Sequence, residues 1–117
     1  MSDHLVESYD KQLELINSNL VKMGGLVEQQ VKDSLKALDE KDTEFAEEIL
    51  KKDDKIDNLE KDIYALAYKI IAMRQPMAND LRTVVSALSI ANDLERMGDH
   101  ATNVAKRVAN VKVSMPS

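Results

Sequence analysis

The feature that most constrains this chain is the spacing of the apolar residues in its first third. From Leu5 to Leu38 they recur at intervals of three or four residues, which is the period of one face of an α-helix. Gly24 and Gly25 interrupt the run without shifting its period, so we interpret them as a place where another backbone packs closely. The pattern predicts one long helix over about residues 4–39. Its core face is predicted to be Leu5, Tyr9, Leu13, Ile16, Leu20, Met23, Val27, Val31, Leu35 and Leu38.

Two more helices are predicted after the first. Asp42 or Thr43 can cap the second helix, which is predicted over about residues 43–74. Every seventh residue along it is isoleucine, a spacing that favours nearly parallel or antiparallel packing: Ile49, Ile56, Ile63 and Ile70. Pro76 cannot continue a helix interior because it lacks the backbone N–H, so the third helix is predicted over about residues 77–112. Its core face is predicted to be Leu81, Val84, Leu88, Ala91, Leu94, Gly98, Ala101, Ala105 and Val108.

The composition agrees with a fold made of helices alone. Only 3 of the 117 residues are Gly and 2 are Pro, while 44% are apolar and 32% charged, which is typical of amphipathic helices rather than of sheets or disordered chains. The length suits one domain. Short connections between long helices favour antiparallel neighbours. We therefore predict an all-α, up-down-up antiparallel three-helix bundle that forms one domain over residues 1–117.

Charge and composition also exclude several functions. The net charge of −5 disfavours a nucleic-acid partner, because phosphate backbones bind basic surfaces. There is no cysteine, so thiolate metal sites and disulfides are excluded. The N-terminal stretch carries acids where a signal peptide carries an apolar run, and no run of apolar residues is long enough to span a membrane. We expect a cytoplasmic protein that meets the membrane only through partners.

Two acidic pairs are the candidate site. Asp53 and Asp57 are four residues apart on the second predicted helix, and Glu95 and Asp99 are four apart on the third. Such pairs of like charge repel each other on a helix surface. If the two helices fold back about Pro76, the pairs lie at the same height. Depending on the handedness of the bundle, the two strips either converge on a shared groove or both turn away from it.

Converging strips would form an oxygen-rich cation site. Carboxylate oxygens, with the amide oxygens of Asn92 and Asn103, suit Mg, Ca, Mn or Fe ions. His100 is at best a peripheral ligand because it points about 100° away from Asp99 around the helix. The alternative is that the acids are ordinary solvated helix faces balanced by nearby cations. The candidate cations are Lys52, Lys55, Lys61, Arg96 and Lys106.

Catalytic motifs are absent from the sequence. A di-iron oxidase needs Glu-x-x-His pairs, and neither His4 nor His100 follows a Glu at that spacing. No Gly-rich phosphate loop, GxSxG or HExxH occurs. We therefore predict a protein that is not an enzyme.

Three stretches resemble the PhoU family of phosphate-uptake regulators. They are MGGLVEQQVKDSL in the first helix, KKDDKIDNLEKDI in the second, QPMANDLRTVVSALSIANDLERMGDHATN across the turn and the third helix, and the resemblance extends to their order and separation. The resemblance implies a three-helix bundle. It also implies that Asp53 and Asp57, together with Glu95 and Asp99, are ligands of a surface metal ion, with iron expected first and Mn, Mg, Zn or Ca as alternatives.

The resemblance further implies partners. These are the phosphate ABC transporter and the sensor histidine kinase of the phosphate response, with the protein acting at the inner face of the cell membrane. Members of the family typically hold two such bundles, whereas this sequence resembles one, so pairing with a second copy as a homodimer is a further expectation. Two alternatives stay open: a helical scaffold or oligomerisation module without a metal role, and a metal storage or delivery protein.

Overall fold

A computed structural model describes residues 2–114, and the side chains of residues 9–111 within them. Four helices account for nearly all of this part of the chain: α1 (Ser2–Glu40), α2 (Thr43–Lys51), α3 (Asp53–Arg74) and α4 (Ala78–Ser114). No strand occurs among the described residues. The molecule is a rod of 70 × 19 × 17 Å. The prediction of an all-α protein is therefore confirmed.

The turn between α1 and α2 follows the capping chemistry of the sequence. Lys41 takes a left-handed conformation, with φ 55°, and the Asp42 amide donates to the carbonyl of Ala37 (2.9 Å). Asp42 is then the N-cap of α2, because its carboxylate accepts a hydrogen bond from the backbone N–H of Phe45 (3.0 Å). A side-chain oxygen at this position satisfies one of the free N–H groups of the first turn.

The helix predicted over residues 43–74 is interrupted, which the sequence analysis did not foresee. Lys52 has φ −92° and ψ −6°, and its amide donates to the carbonyls of Ile49 and Leu50, so the regular hydrogen bonding lapses for one residue. Lys51 ends α2, while Asp53 and the following acid begin α3. This order places positive charge at a helix C-terminus and negative charge at an N-terminus, where the helix dipoles favour each.

The connection around Pro76 lies where the sequence predicts it. Gln75 ends α3 in a left-handed conformation, with φ 44° and ψ 60°. The first hydrogen bond of α4 follows at once, from the amide of Leu81 to the carbonyl of Met77 (2.8 Å). The chain thus reverses within a few residues.

The core is divided into two clusters along the rod. The longer cluster holds the isoleucines of α3 together with residues of α1 and α4: Ile16, Met23, Val27, Ile56, Ile63, Ala67, Ile70, Val84, Ala87 and Ala91. The shorter cluster, at the α2 end, is built mostly from small side chains: Ala37, Ala46, Ile49, Ala105 and Val108. The predicted seven-residue spacing of buried isoleucines is therefore confirmed.

Several predicted core positions are wrong. Leu35 is 56% exposed and Leu38 is 52% exposed, because the buried strip of α1 passes instead through Gln30, Ser34 and Ala37. Small and polar side chains occupy that strip, where α2 and α4 lie close. Outside α1, the predicted core residue Leu81 is also exposed. The predicted core residue at position 5 lies outside the described side chains.

The interpretation of Gly24 and Gly25 is also wrong within this chain. A Cβ atom added to either glycine would meet no atom within 4 Å, so no other backbone packs against them. Helix α1 continues through both residues. The close approach occurs elsewhere, at Gly98 of α4.

Hydrogen bonds join α1 to both ends of α3. Near the start of α1, Gln12 Oε1 accepts a hydrogen bond from Arg74 Nε at the end of α3 (3.3 Å). Further along α1, Gln30 Nε2 donates to Asp53 Oδ1 at the start of α3 (3.3 Å). Helix α4 packs against α1, α2 and α3. The groove between α3 and α4 is the one that carries the candidate site.

Candidate metal site

Three carboxylates meet in the groove between α3 and α4. Asp57 comes from α3, and Glu95 and Asp99 come from successive turns of α4. One oxygen from each lies within 4.8 Å of the others. Oxygens bound to one hard cation at 2.0–2.6 Å can be up to roughly 5 Å apart, so the three can reach a common ion. We call this group the carboxylate triad.

Close packing beneath the triad brings the two helices together. Gly98 is buried next to Asp99. A Cβ atom at Gly98 would lie 3.5 Å from Cδ1 of Ile56 and 3.7 Å from Cγ2 of Val27, so side chains of α3 and α1 contact this turn of α4. Because Ile56 directly precedes Asp57, the packing that buries the isoleucine also sets the position of the carboxylate.

The surroundings of Glu95 in the triad favour its protonated form. The pKa of Glu95 is raised from 4.5 to about 7, first because its side chain shares a hydrogen bond with Asp99 and next because it is partly buried. The neighbouring charges of Asp99, Glu60 and Asp57 raise it further. A cation that replaces the shared proton would relieve the same repulsion.

The acids of α3 behave in the same way. Burial raises the pKa of Asp57, and the charges of Asp53 and Asp99 add to that effect, while Lys61 lowers it by less. Burial also raises the pKa of Glu60, followed by the charges of Asp57 and Asp99. In the described part of the chain, Lys61 therefore offsets the negative charge only in part. The chemistry of this donor set, oxygen-only and short of positive charge, fits a hard cation.

Asp53, the fourth predicted ligand, lies outside the triad. Its Oδ1 accepts hydrogen bonds from Thr102 Oγ1 (3.0 Å) and from Gln30 Nε2 (3.3 Å). The structure brings Asp57, Glu95 and Asp99 together and places Asp53 beside them, in a polar network that reaches α1. Its charge still acts on Asp57.

Sequence reasoning missed two side chains of this network. Gln30 and Thr102 are buried, at 6% and 5% exposure. Gln30 falls seven residues after Met23 on the buried strip of α1, and a polar residue at such a position is a signal that a buried partner exists. Asn92, Asn103 and His100 are exposed, and His100 is not among the described side chains that form the triad.

The sequence of the chain is similar to that of a known protein family. Residues 20–108 match the protein family described as the PhoU domain, which is most of the chain. The chain belongs to the PhoU family. The predicted resemblance is therefore confirmed.

Sequence similarity to named relatives agrees with this family membership. The chain is 41% identical over 107 residues to the phosphate-specific transport system accessory protein PhoU homolog of Caulobacter vibrioides, covering 92% of the chain and 46% of that relative. It is 43% identical over 101 residues to the homolog of Clostridium acetobutylicum, covering 86% and 46%. For the homolog of Aquifex aeolicus the identity is 43% over 97 residues, covering 83% and 44%. The chain thus spans about half the length of these relatives.

None of the helices in the described part of this PhoU-family chain is long and apolar enough to cross a membrane.

Proposed function

We propose that this chain is a PhoU-type regulator of phosphate uptake and phosphate-responsive signalling that is not an enzyme. Its relatives carry the name of accessory proteins of the phosphate-specific transport system, which supports a role in phosphate transport. The proposed partners are the phosphate ABC transporter and the sensor histidine kinase. The protein would act in the cytoplasm, at the inner face of the membrane through those partners.

The proposed architecture is one PhoU-like domain over residues 1–117, arranged as an up-down-up bundle of three rods. Helix α1 is the first rod, α2 and α3 form the second, and α4 is the third. The pairing of the start of α1 with the end of α3, through Gln12 and Arg74, supports this arrangement. The contact of Gln30 with Asp53 supports it at the other end.

The proposed action is metal-assisted protein interaction. The observation that carries it is the meeting of Asp57, Glu95 and Asp99 within 4.8 Å, with Asp53 beside them. These four residues would hold a divalent or trivalent ion, with iron first and Mn, Mg, Zn or Ca as alternatives. A bound cation would supply the positive charge that the groove lacks and would join α3 to α4.

Regulation would follow from differential binding to a partner. A domain that binds one state of the kinase or transporter more tightly shifts its partner toward that state, by no more than the difference in binding free energy. The groove lies on one face of the rod, so a metal-dependent change in its charge would be presented directly to a partner. Conversion of Glu95 and Asp99 to alanine should therefore change phosphate-dependent gene expression if this face is the regulatory site.

Elemental analysis tests the metal site. The protein is purified without chelator beside a Glu95→Ala/Asp99→Ala variant that circular dichroism shows to be folded. A matched control is Asp33→Ala, which removes an acid of α1 that is bound to Gln29 (2.8 Å). We expect one or more ions per chain in the wild type and the control, and loss in the double variant. Equal and negligible metal in all three would contradict the proposed site.

A second candidate is a helical scaffold or oligomerisation module without a metal role. Exposed apolar side chains favour it: Val21 is 76% exposed and Met97 is 51% exposed, and Leu35 and Ile90 are about half exposed. Such surfaces often mark protein contacts. Pairing with a second copy as a homodimer is the specific form proposed. Light scattering across micromolar concentrations tests it, and a monomer throughout would count against it.

A further inference from the structure

We propose that Gln30 of α1 is a positioning residue of the site between α3 and α4: with Thr102 it holds Asp53 at the edge of the carboxylate triad. The inference rests on the metal site proposed above and extends it to a helix that contributes no carboxylate to it. It assigns to the site two side chains outside the predicted ligand set.

Burial makes this network costly to leave unsatisfied. Gln30 is 6% exposed and Thr102 is 5% exposed. A buried amide or hydroxyl that loses its partner pays the full cost of its desolvation, so both side chains are held to their present partners. The partners are Asp53 of α3 and the carbonyl of Gly98 on α4.

The hydrogen bonds have a defined direction. Gln30 Nε2 donates to Thr102 Oγ1 over 2.6 Å, so the threonine oxygen is an acceptor there and its single hydrogen is left to donate. That hydrogen can go to Asp53 Oδ1 (3.0 Å) or to the carbonyl of Gly98 (2.9 Å). The second amide hydrogen of Gln30 has the same two acceptors, each at 3.3 Å.

The network acts on one oxygen of Asp53 and leaves the other. Within the described residues, Oδ1 lies within hydrogen-bond distance of both donors, whereas Oδ2 makes no hydrogen bond. A hydrogen bond from either donor to Oδ1 restricts rotation of the carboxylate beside Asp57. The same two donors can bind the carbonyl of Gly98 instead. Because Gly98 precedes Asp99, one network contacts both sides of the groove.

Binding of Mn²⁺ to the metal-free 117-residue chain tests the role of Gln30. The variant Gln30→Met keeps the side-chain length and removes the amide. The matched control is Gln29→Met, the same change on the next residue, whose amide binds Asp33 on the outer face of α1 (2.8 Å). Loss of an outer-shell partner typically weakens metal binding by about 10- to 100-fold. We expect that loss for Gln30→Met and less than about threefold for the control.

A second pair of variants separates positioning from general destabilisation. Thr102→Val removes the hydroxyl at nearly unchanged volume, and Thr102→Ser keeps the hydroxyl but removes a methyl group. We expect weaker Mn²⁺ binding for the first and near wild-type binding for the second. Affinity is measured at a temperature where circular dichroism shows each variant folded, so a purely structural role would leave it unchanged.

A double-mutant cycle with Asp53→Asn tests whether Gln30 acts through Asp53. In that background the further effect of Gln30→Met should fall to less than half of its effect in the wild type, measured as the logarithm of the affinity. A full, additive effect would overturn the proposed route.

The outcomes separate this inference from the proposed site. If the wild type binds Mn²⁺ and Gln30→Met binds it equally well, the positioning role is overturned and the site stands. If the wild type fails to bind Mn²⁺, Fe²⁺ and Mg²⁺ alike, the proposed site fails, and the positioning role fails with it.

Discussion

The two sides of α3 differ in charge near the start of the helix. Toward α4 lie Asp57 and Glu60, facing Glu95 and Asp99. Burial raises the pKa of Glu60, and the hydrogen bond with Asp99 raises that of Glu95; the charges of neighbouring acids raise both further. Toward α1 the side of α3 borders a cleft of about 210 Å³. Its lining includes two lysines and an apolar floor: Leu26, Gln29, Gln30, Asp33, Ile49, Lys52, Lys55 and Ile56.

This contrast shows why the acids stay uncompensated. Lysines are abundant close by in the sequence, yet Lys52 and Lys55 lie on the α1 side of the helix. On the acid side Lys61 lowers the pKa of Asp57, but burial and neighbouring acids outweigh it. The balance of charge within a segment therefore says little about the balance within a groove.

The largest expected effect comes from Ile56, which lies between the acidic groove and the cleft that faces α1. Ile56 is 2% exposed, lines the cleft, and contacts Gly98 under the triad. Ile56→Ala should lower the free energy of unfolding by about 2–5 kcal/mol, because it removes buried methyl groups and leaves a cavity. Urea unfolding measures this, with Val85→Ala on the exposed side of α4 as control. A loss below about 1 kcal/mol would show that the two sides are not joined through this residue.

The next largest effect should come from metal binding, which we expect on the α4 side of α3. With Mn²⁺ at about 100 times its dissociation constant, the wild type should gain about 2.7 kcal/mol of stability. Asp57→Asn should abolish most of that gain, whereas Lys55→Gln on the opposite side should keep it. Thermal unfolding with and without Mn²⁺ measures both. An equal gain in the two variants would contradict the assignment of the site to the α4 side.

The metal-free protein should lose stability as pH rises. The folded-state pKa of Glu95, about 7, lies above its ordinary value of 4.5, so folding favours the protonated form. This contribution is fully present below about pH 4.5 and is lost as pH rises through 7. At about 1.4 kcal/mol per pKa unit, reduced by solvent screening, we expect a loss on the order of 1 to 2 kcal/mol.

Urea unfolding in chelator at pH 5 and pH 8 measures that loss. Glu95→Gln should reduce it, and the remainder should come from Asp57 and Glu60, whose raised pKa values act in the same direction. A loss unchanged by Glu95→Gln would remove this residue as the cause. With Mn²⁺ present the order should reverse, because protons compete with the cation below about pH 7.

The smallest effect is expected from the lysine side alone. Lys52→Gln/Lys55→Gln should change the free energy of unfolding by no more than about 0.5 kcal/mol, as is usual for surface substitutions. Urea unfolding at low and high salt measures the change. A larger, salt-dependent change would mean that these lysines do offset the acids across the helix.

Much of the fold could be predicted from particular residues. Buried isoleucines at 49, 56, 63 and 70 follow from their spacing, and the turn near Pro76 follows from the missing N–H. The break at Lys52 could not be predicted from periodicity, because the seven-residue spacing passes through it unchanged. The prediction of Leu35 and Leu38 as core residues is wrong, because hydrophobicity alone does not report which strip of a helix packs against its neighbours.

The site was predictable in part. The distances from Pro76 placed the two acidic pairs at one height, but their convergence depends on how the helices are turned against each other. Asp53 shared the same spacing, yet its carboxylate binds Thr102 and Gln30, two residues far from it in the chain. No local pattern reports such a contact.

What the sequence by itself determined is the set of helices, the heptad seam and the identity of the acids, because period, capping and proline geometry act over a few neighbouring residues. What only the tertiary structure decided is which acids share a groove and which side chains hold them. Those depend on the rotation of each helix about its axis. That rotation is set by packing between residues such as Ile56 and Gly98, which lie 42 positions apart in the chain.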